Sequence, residues 1–222
     1  VLLQRNCAVD LQTENGYSAL IRAAVNGHTR IVELLLQSNC AVDFQAKDGA
    51  SALTCAAVNG HTRIVELFLQ SNCAVDLQDE DGYSALIWAA YNGHTRIVEL
   101  LLQSNCAVDL QNEDGDSALT CAAKWGRTPI VRMLLLHGAN LDLRTNAADG
   151  EKDALACARE KGHTEIASLI KKEGCWRRRK AWVMFSSMYK ASLLTATAPL
   201  DETVVERALA MDEITRMIAM WL

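Results

Sequence analysis

No C-x-x-C pair and no close Cys/His cluster occurs in the chain, although it holds eight cysteines and five histidines. Zinc sites draw their ligands from such spacings, so neither a structural nor a catalytic zinc centre is indicated. A phosphate-binding glycine loop is also lacking, as is a nucleophile with a base at a recognisable spacing. Catalysis therefore has little support, and no cofactor is implied. Long apolar runs are scarce. The best candidate span, 181–200, is broken by Lys190 and several Ser and Thr, whereas crossing a bilayer takes about 20 apolar residues. Basic clusters are few: up to Cys175 there are 15 Lys and Arg against 22 Asp and Glu, and beyond it 7 against 5, for a formal net charge of −5. Phosphate backbones are bound by clustered cations that release counterions, so nucleic acid is not an expected partner and a basic protein suits the acidic part better.

What the chain does contain is a repeat. The stretch NGHTRIVELLLQSNCAV at 26–42 returns almost unchanged at 59–75 and 92–108, a period of 33 residues. Aligning Asp10, Asp43, Asp76, Asp109 and Asp142 divides the chain into units at 10–42, 43–75, 76–108 and 109–141. A divergent unit follows at 142–175, preceded by a partial one at 1–9. Val1 is not a Met, and 1–9 matches the end of a unit without its beginning, so a fragment is expected. Periods of this length mean stacked arrays, in which no unit can bury its apolar faces alone.

Within each unit the signals come in a fixed order. Four residues ending in Gly (Gly16, Gly49, Gly82, Gly115) suit a type I turn. Ser18, Ser51, Ser84 and Ser117 then read as N-caps of an inner helix. On that helix Leu20, Ala23 and Ala24 form the buried stripe, with Arg22, Val25 and Asn26 on the other side. An outer helix opens at Thr29, Thr62, Thr95 and Thr128, with Pro129 at a first helical position where its missing N–H costs nothing. Asn39, Asn72, Asn105, Gly138 and Gly174 are expected to close it in the left-handed conformation.

In period and in this order of turn, S-A-L, N-G-H-T-R-I-V-E-L-L-L and closing Asn or Gly, residues 1–175 resemble the ankyrin repeat, although Ser18-Ala19-Leu20-Ile21 and its counterparts replace that family's Thr-Pro-Leu-His. The resemblance implies an all-α solenoid of stacked helix pairs with β-turn or hairpin fingers. It also implies protein binding without chemistry, in a concave groove bordered by finger tips and inner helices. The alternative is a regulatory or targeting segment of a larger enzyme, channel or ubiquitin-ligase adaptor.

In register, the cysteines collapse into two columns: Cys7, Cys40, Cys73, Cys106 and Cys175, then Cys55, Cys121 and Cys157. Stacked helices lie about 8–10 Å apart, beyond the roughly 7 Å Cα separation a disulfide tolerates, so free buried thiols and no disulfides are expected. This favours a reducing compartment, with the cytoplasm as default and the nucleus as alternative. His28, His61, His94 and His163 share one column before the outer helix, where a structural role is expected.

The last unit has three extra residues between Asp142 and Gly162, hence a longer finger. Arg159, Glu160 and Lys161 mark it as a capping repeat that faces water. Beyond it, 176–222 combine a basic linker, Arg177 to Lys180, with a helical tail. Nuclear import or an anionic membrane is the functional alternative for the basic run. In the tail, Thr203 with Glu206 forms a capping box, and Val204, Ala208, Met211, Ile218 and Leu222 share a face that folds back over the last unit or meets a partner or membrane. Membrane contact is expected only through this tail.

Because the early units are near-identical, their differences carry the functional signal. These fall at finger tips (Tyr17, Ala50, Tyr83, Asp116) and on the inner helices (Arg22, Cys55, Trp88, Cys121; Val25, Val58, Tyr91, Lys124). The expected partner-binding residues are Tyr17, Arg22, Tyr83, Trp88, Tyr91, Asp116, Lys124 and Trp125. Trp88 and Tyr91 are expected to be exposed, and Trp125, whose counterparts are all Asn, is the ring most expected to pack between inner helices. Glu80, Asp81, Asp114 and Asp116 would steer basic residues of the partner.

Overall fold

Each repeat begins with a tight turn, because a glycine at its fourth residue can take the left-handed conformation that other residues avoid. In the computed structural model, Gly16 donates to the Thr13 carbonyl at 2.8 Å and has φ of 80°. A Cβ at Gly16 would also come within 2.9 Å of the Lys47 amide in the next turn. The close approach is used: Lys47 N–H donates to Asn15 O, Glu80 N–H to Asp48 O and Glu113 N–H to Asp81 O, each at 3.0 Å. Single antiparallel bridges (Gln12 with Ser18, Gln45 with Ser51, Gln78 with Ser84, Gln111 with Ser117) narrow each turn into a finger. The structure describes residues 9–146 and 150–195, with side chains described up to Met184.

The serines start the inner helices as the sequence suggests. Ser18 Oγ accepts from Ile21 N–H, Ser84 Oγ from Ile87 N–H, and Ser51 and Ser117 complete capping boxes with Thr54 and Thr120. Among the described residues five helix pairs follow: α1 (Ala19–Val25) with α2 (Thr29–Gln37), α3 (Ala52–Val58) with α4 (Thr62–Gln70), and α5 (Ala85–Asn92) with α6 (Thr95–Gln103). Then come α7 (Ala118–Lys124) with α8 (Thr128–Leu136), and α9 (Ala154–Glu160) leading to α10 (Thr164–Thr195). Inner helices pack on inner helices along α1, α3, α5, α7 and α9, and outer on outer along α2, α4, α6 and α8. Asn39, Asn72 and Asn105, with φ of 53–54°, and Gly138 with φ of 82°, close the outer helices.

Two polar columns tie neighbouring units together. Asp10, Asp43, Asp76 and Asp109 accept through Oδ1 from the main-chain N–H of Ala41, Ala74, Ala107 and Asn140, at 2.8–2.9 Å. Gln45, Gln78 and Gln111 each donate to the glycine carbonyl of their own finger and to a carbonyl one unit on (Gln78 O, Gln111 O and Arg144 O). The residues that set the sequence register thus also hold the stack in register.

The fold corrects three expectations. The buried part of an inner helix is wider than one stripe: Ile21 is as buried as Leu20, and Cys55 and Cys121 are buried, as expected of the thiols, although their columns vary between units. An inner helix touches a neighbour on each side as well as its own outer helix, so little of its circumference stays in water. Gly174 does not close a helix; it lies inside α10, which runs through 176–180, and so the basic stretch is helical rather than a linker.

The last finger is longer, as expected: Thr145 N–H bonds to Lys152 O, whereas Thr13 N–H bonds to Tyr17 O. Arg159, Glu160 and Lys161 are exposed. The partial unit at 1–8 with Cys7, and the helix expected beyond Asp201, lie outside the described residues.

The contacts divide the chain into two units, 1–170 and 171–222. Within the second, Arg177 pairs with Glu173 at 2.8 Å and Lys180 lies over the Trp176 ring, 5.0 Å from its centre. No helix among the described residues is long and apolar enough to cross a membrane.

Candidate functional site

The rings that distinguish the third and fourth units meet. Tyr83, on the third finger, stacks on Trp88 of α5 with centres 4.3 Å apart and planes at 22°. Trp88 meets Tyr91 edge-on at 5.9 Å, and Tyr91 meets Trp125, the residue capping α7, at 4.9 Å and 62°. Four aromatic side chains therefore run continuously from a finger across two inner helices. Aromatic pairs in these geometries gain about 0.5–1.5 kcal/mol beyond the area they bury.

Asp79 fixes one end of the run. Its Oδ1 accepts from Tyr83 N–H at 2.7 Å and its Oδ2 from Trp88 Nε1–H at 2.8 Å, so one carboxylate aligns both stacked rings. The sequence carried a signal for this: Asp79 stands where the other fingers have Thr13, Ala46 and Asn112. Burial raises the pKa of Tyr83.

The expected exposure of Trp88 and Tyr91 is not what the structure shows. Trp88 and Tyr91 are partly buried, because each lies against two other rings, whereas Trp125 is 46 % exposed. Trp125 follows the last residue of α7 and meets Tyr91 of the neighbouring inner helix with its ring still nearly half in water.

Tyr17 and Arg22, two units earlier, form a separate pair. The guanidinium lies 5.0 Å from the ring centre, and the Tyr17 hydroxyl donates to Asp48 Oδ2 at 2.5 Å. That bond holds the phenol protonated, its pKa pushed up to about 12.

Glu80, Asp81 and Asp114 are exposed on the finger tips. Asp116 is not: it is only 6 % exposed, with Oδ2 3.7 Å from Lys124 Nζ. A buried carboxylate beside an ammonium projects little field, so the steering role expected for it does not hold.

The histidine column has the structural role expected of it. His61 and His94 place Nε2 3.1 Å from the Val25 and Val58 carbonyls of the preceding unit. Cys40, Cys55, Cys73, Cys106, Cys121 and Cys157 are buried free thiols, and Cys175 is half-buried and free.

Fingers, inner helix, outer helix and left-handed closure thus recur every 33 residues with bonds joining equivalent positions. A sequence model of ankyrin repeats, described as three copies, matches 1–79, 59–145 and 86–178. The chain belongs to the ankyrin-repeat family. Ankyrin repeats are in general protein-interaction modules and typically non-catalytic. No curated protein matches the chain at a significant level. In this ankyrin array the run from Tyr83 to Trp125 lies on fingers and inner helices, the face formed by the columns that vary between units.

Proposed function

We propose that this ankyrin array is a non-catalytic scaffold or adaptor that binds a protein partner in its concave groove, with Trp125, Tyr91, Trp88 and Tyr83 as the central contact. The observation that carries this is the continuous aromatic run, which ends in an indole 46 % exposed. A large ring on the surface is a poor choice for stability and a good one for an interface, where a few aromatic anchors dominate the binding energy. Tyr17 with Arg22 provides a second contact two units away, and Asp116 with Lys124 a polar one on the next finger.

Exposed Glu80, Asp81, Glu113 and Asp114 surround the run with negative charge and favour a basic partner surface. The cytoplasm suits an array whose described thiols are free. The same groove would serve equally as the targeting segment of a larger protein.

Affinity capture on the immobilised chain, followed by mass spectrometry, tests the reading. Trp125→Ala should lose the captured partner while costing less than about 1 kcal/mol of stability. Leu136→Ala, at an 85 % exposed position on α8, serves as the matched control and should keep it.

A further inference from the structure

Beside the aromatic run, the fourth and fifth fingers and helices α7 and α9 enclose a cavity of about 340 Å3. Its walls include Asp116, Lys124, Thr145, Lys152, Glu160 and Lys161. The volume is at the small end of the range for ligand sites, roughly 300–1,000 Å3.

The Asp116 carboxylate is the unusual member. The residue is 6 % exposed, its Oδ1 has no hydrogen-bond partner among the described residues, and its Oδ2 is 3.7 Å from Lys124 Nζ, too long for a hydrogen bond. Buried charges are normally paired and hydrogen-bonded, since leaving them otherwise is costly.

The fold does not need this carboxylate. The main chain of residue 116 forms the finger through its N–H to Asn112 Oδ1 at 2.7 Å and its carbonyl to Asn112 N–H at 3.0 Å. Equivalent positions hold Tyr17, Ala50 and Tyr83, so three other fingers form without an acid there.

The remaining charges indicate the kind of ligand. Glu160 engages Lys152 at 2.8 Å and Lys161 at 3.6 Å, which leaves Asp116 as the acceptor in deficit. Its ionic neighbour Lys124 has a side chain 41 % exposed on a flexible stem that can swing into water. A divalent metal is a poor match, since no group of three or more metal-ligating side chains is found among the described residues.

We propose that this cavity receives the guanidinium of an arginine side chain from a protein partner, with the Asp116 carboxylate as acceptor and Lys124 as the group displaced. The proposal rests on the protein-binding reading above and names one residue type that the partner must present. Arginine fits better than lysine because its cation is more weakly hydrated, which eases burial beside a carboxylate.

The test is an amide-resolved NMR titration of the full chain with the blocked tripeptide acetyl-Gly-Arg-Gly-amide. Saturable shifts at Asp116, Lys124 and Thr145 are expected, and the same peptide with citrulline, which keeps the shape without the charge, should give none. Asp116→Asn should weaken binding by about tenfold or more without lowering the unfolding midpoint. Lys124→Met should strengthen it by about two- to fivefold.

Equal binding of the citrulline or lysine peptide, retained binding by Asp116→Asn, or tighter binding of free arginine than of the peptide would overturn the proposal. A loss of folding in Asp116→Asn would assign the carboxylate to the scaffold and overturn it too. Leu136→Ala, on the outer helix, should leave the titration unchanged, and because the peptide is titrated without the captured partner, failure here and failure of the groove reading are separately visible.

Discussion

The imidazole Nε2 of His61 lies 3.1 Å from the main-chain carbonyl of Val25, 36 residues earlier in the chain. A carbonyl only accepts, so this nitrogen carries the proton, and the ring forms a strut between units. Its seat is Gly27, where an added Cβ would fall 2.6 Å from the ring and the φ of 71° already disfavours other residues. His94 repeats the arrangement on Val58. Arg127 takes the same place in the fourth unit less well, with Nη2 3.4 Å from Tyr91 O and Nε buried without a partner among the described residues.

The column therefore predicts opposite effects at two positions. His61→Ala should lower stability by about 1 kcal/mol, the usual net worth of one hydrogen bond, and Arg127→His should raise it by a comparable or smaller amount. Urea unfolding monitored by circular dichroism measures both. A destabilised Arg127→His would mean that the guanidinium makes a contribution the histidines cannot.

Burial sets the chemistry of the thiols. It pushes Cys55, Cys73 and Cys106 up from 9.0 to about 11, and raises Cys121 still further. The fold thus favours the neutral thiol, so this contribution to stability is complete below pH 9 and is lost as the pH rises through about 11. The denaturation midpoint should be flat with respect to these groups up to pH 9 and fall above it. At pH 8, iodoacetamide should modify half-buried Cys175 well before Cys55 or Cys121. Rapid labelling of Cys121 in the native protein would contradict its burial.

Gly174 distinguishes a continuous α10 from one that stops at the repeat boundary. Within a helix, Gly174→Ala should stabilise by about 0.5–1 kcal/mol; at a left-handed closure it would destabilise instead. Thermal unfolding together with helical ellipticity at 222 nm decides, and a loss of both would restore the boundary expected from the sequence.

The rings of the aromatic run should separate by burial. Trp88→Ala removes a stacked partner of Tyr83 and strands Asp79, so a loss of about 2–3 kcal/mol is expected. Trp125→Ala removes a ring nearly half in water and should cost less than about 1 kcal/mol. Equal costs would place Trp125 in the core.

The fold was largely legible because its signals are local and repeated: a turn glycine, a capping serine and a closing asparagine each act within a few residues, and the 33-residue period supplies the stacking. Burial across units was less so. Nothing within α3 or α7 shows that Cys55 and Cys121 face a neighbouring helix, and a single helical wheel puts them on the solvent side. Gly174 misled for the same reason in reverse, since its column position suggested closure while its neighbours simply continue the helix. Of the candidate site, the rings could be found from their variation between units. Asp79 differs from Thr13, Ala46 and Asn112 in its column, but its bond to the Trp88 indole, like the burial of Asp116, required coordinates.

The central claim is that the partner binds where the aromatic run reaches the surface, and site-specific photo-crosslinking tests it most directly. A benzophenone amino acid placed at position 125, and in a second protein at position 136 on the outer helix, is illuminated in the presence of the captured partner. Covalent capture from position 125 and none from 136 is the predicted result. Crosslinking from 136 with none from 125 would move the binding surface to the outer helices and contradict the account.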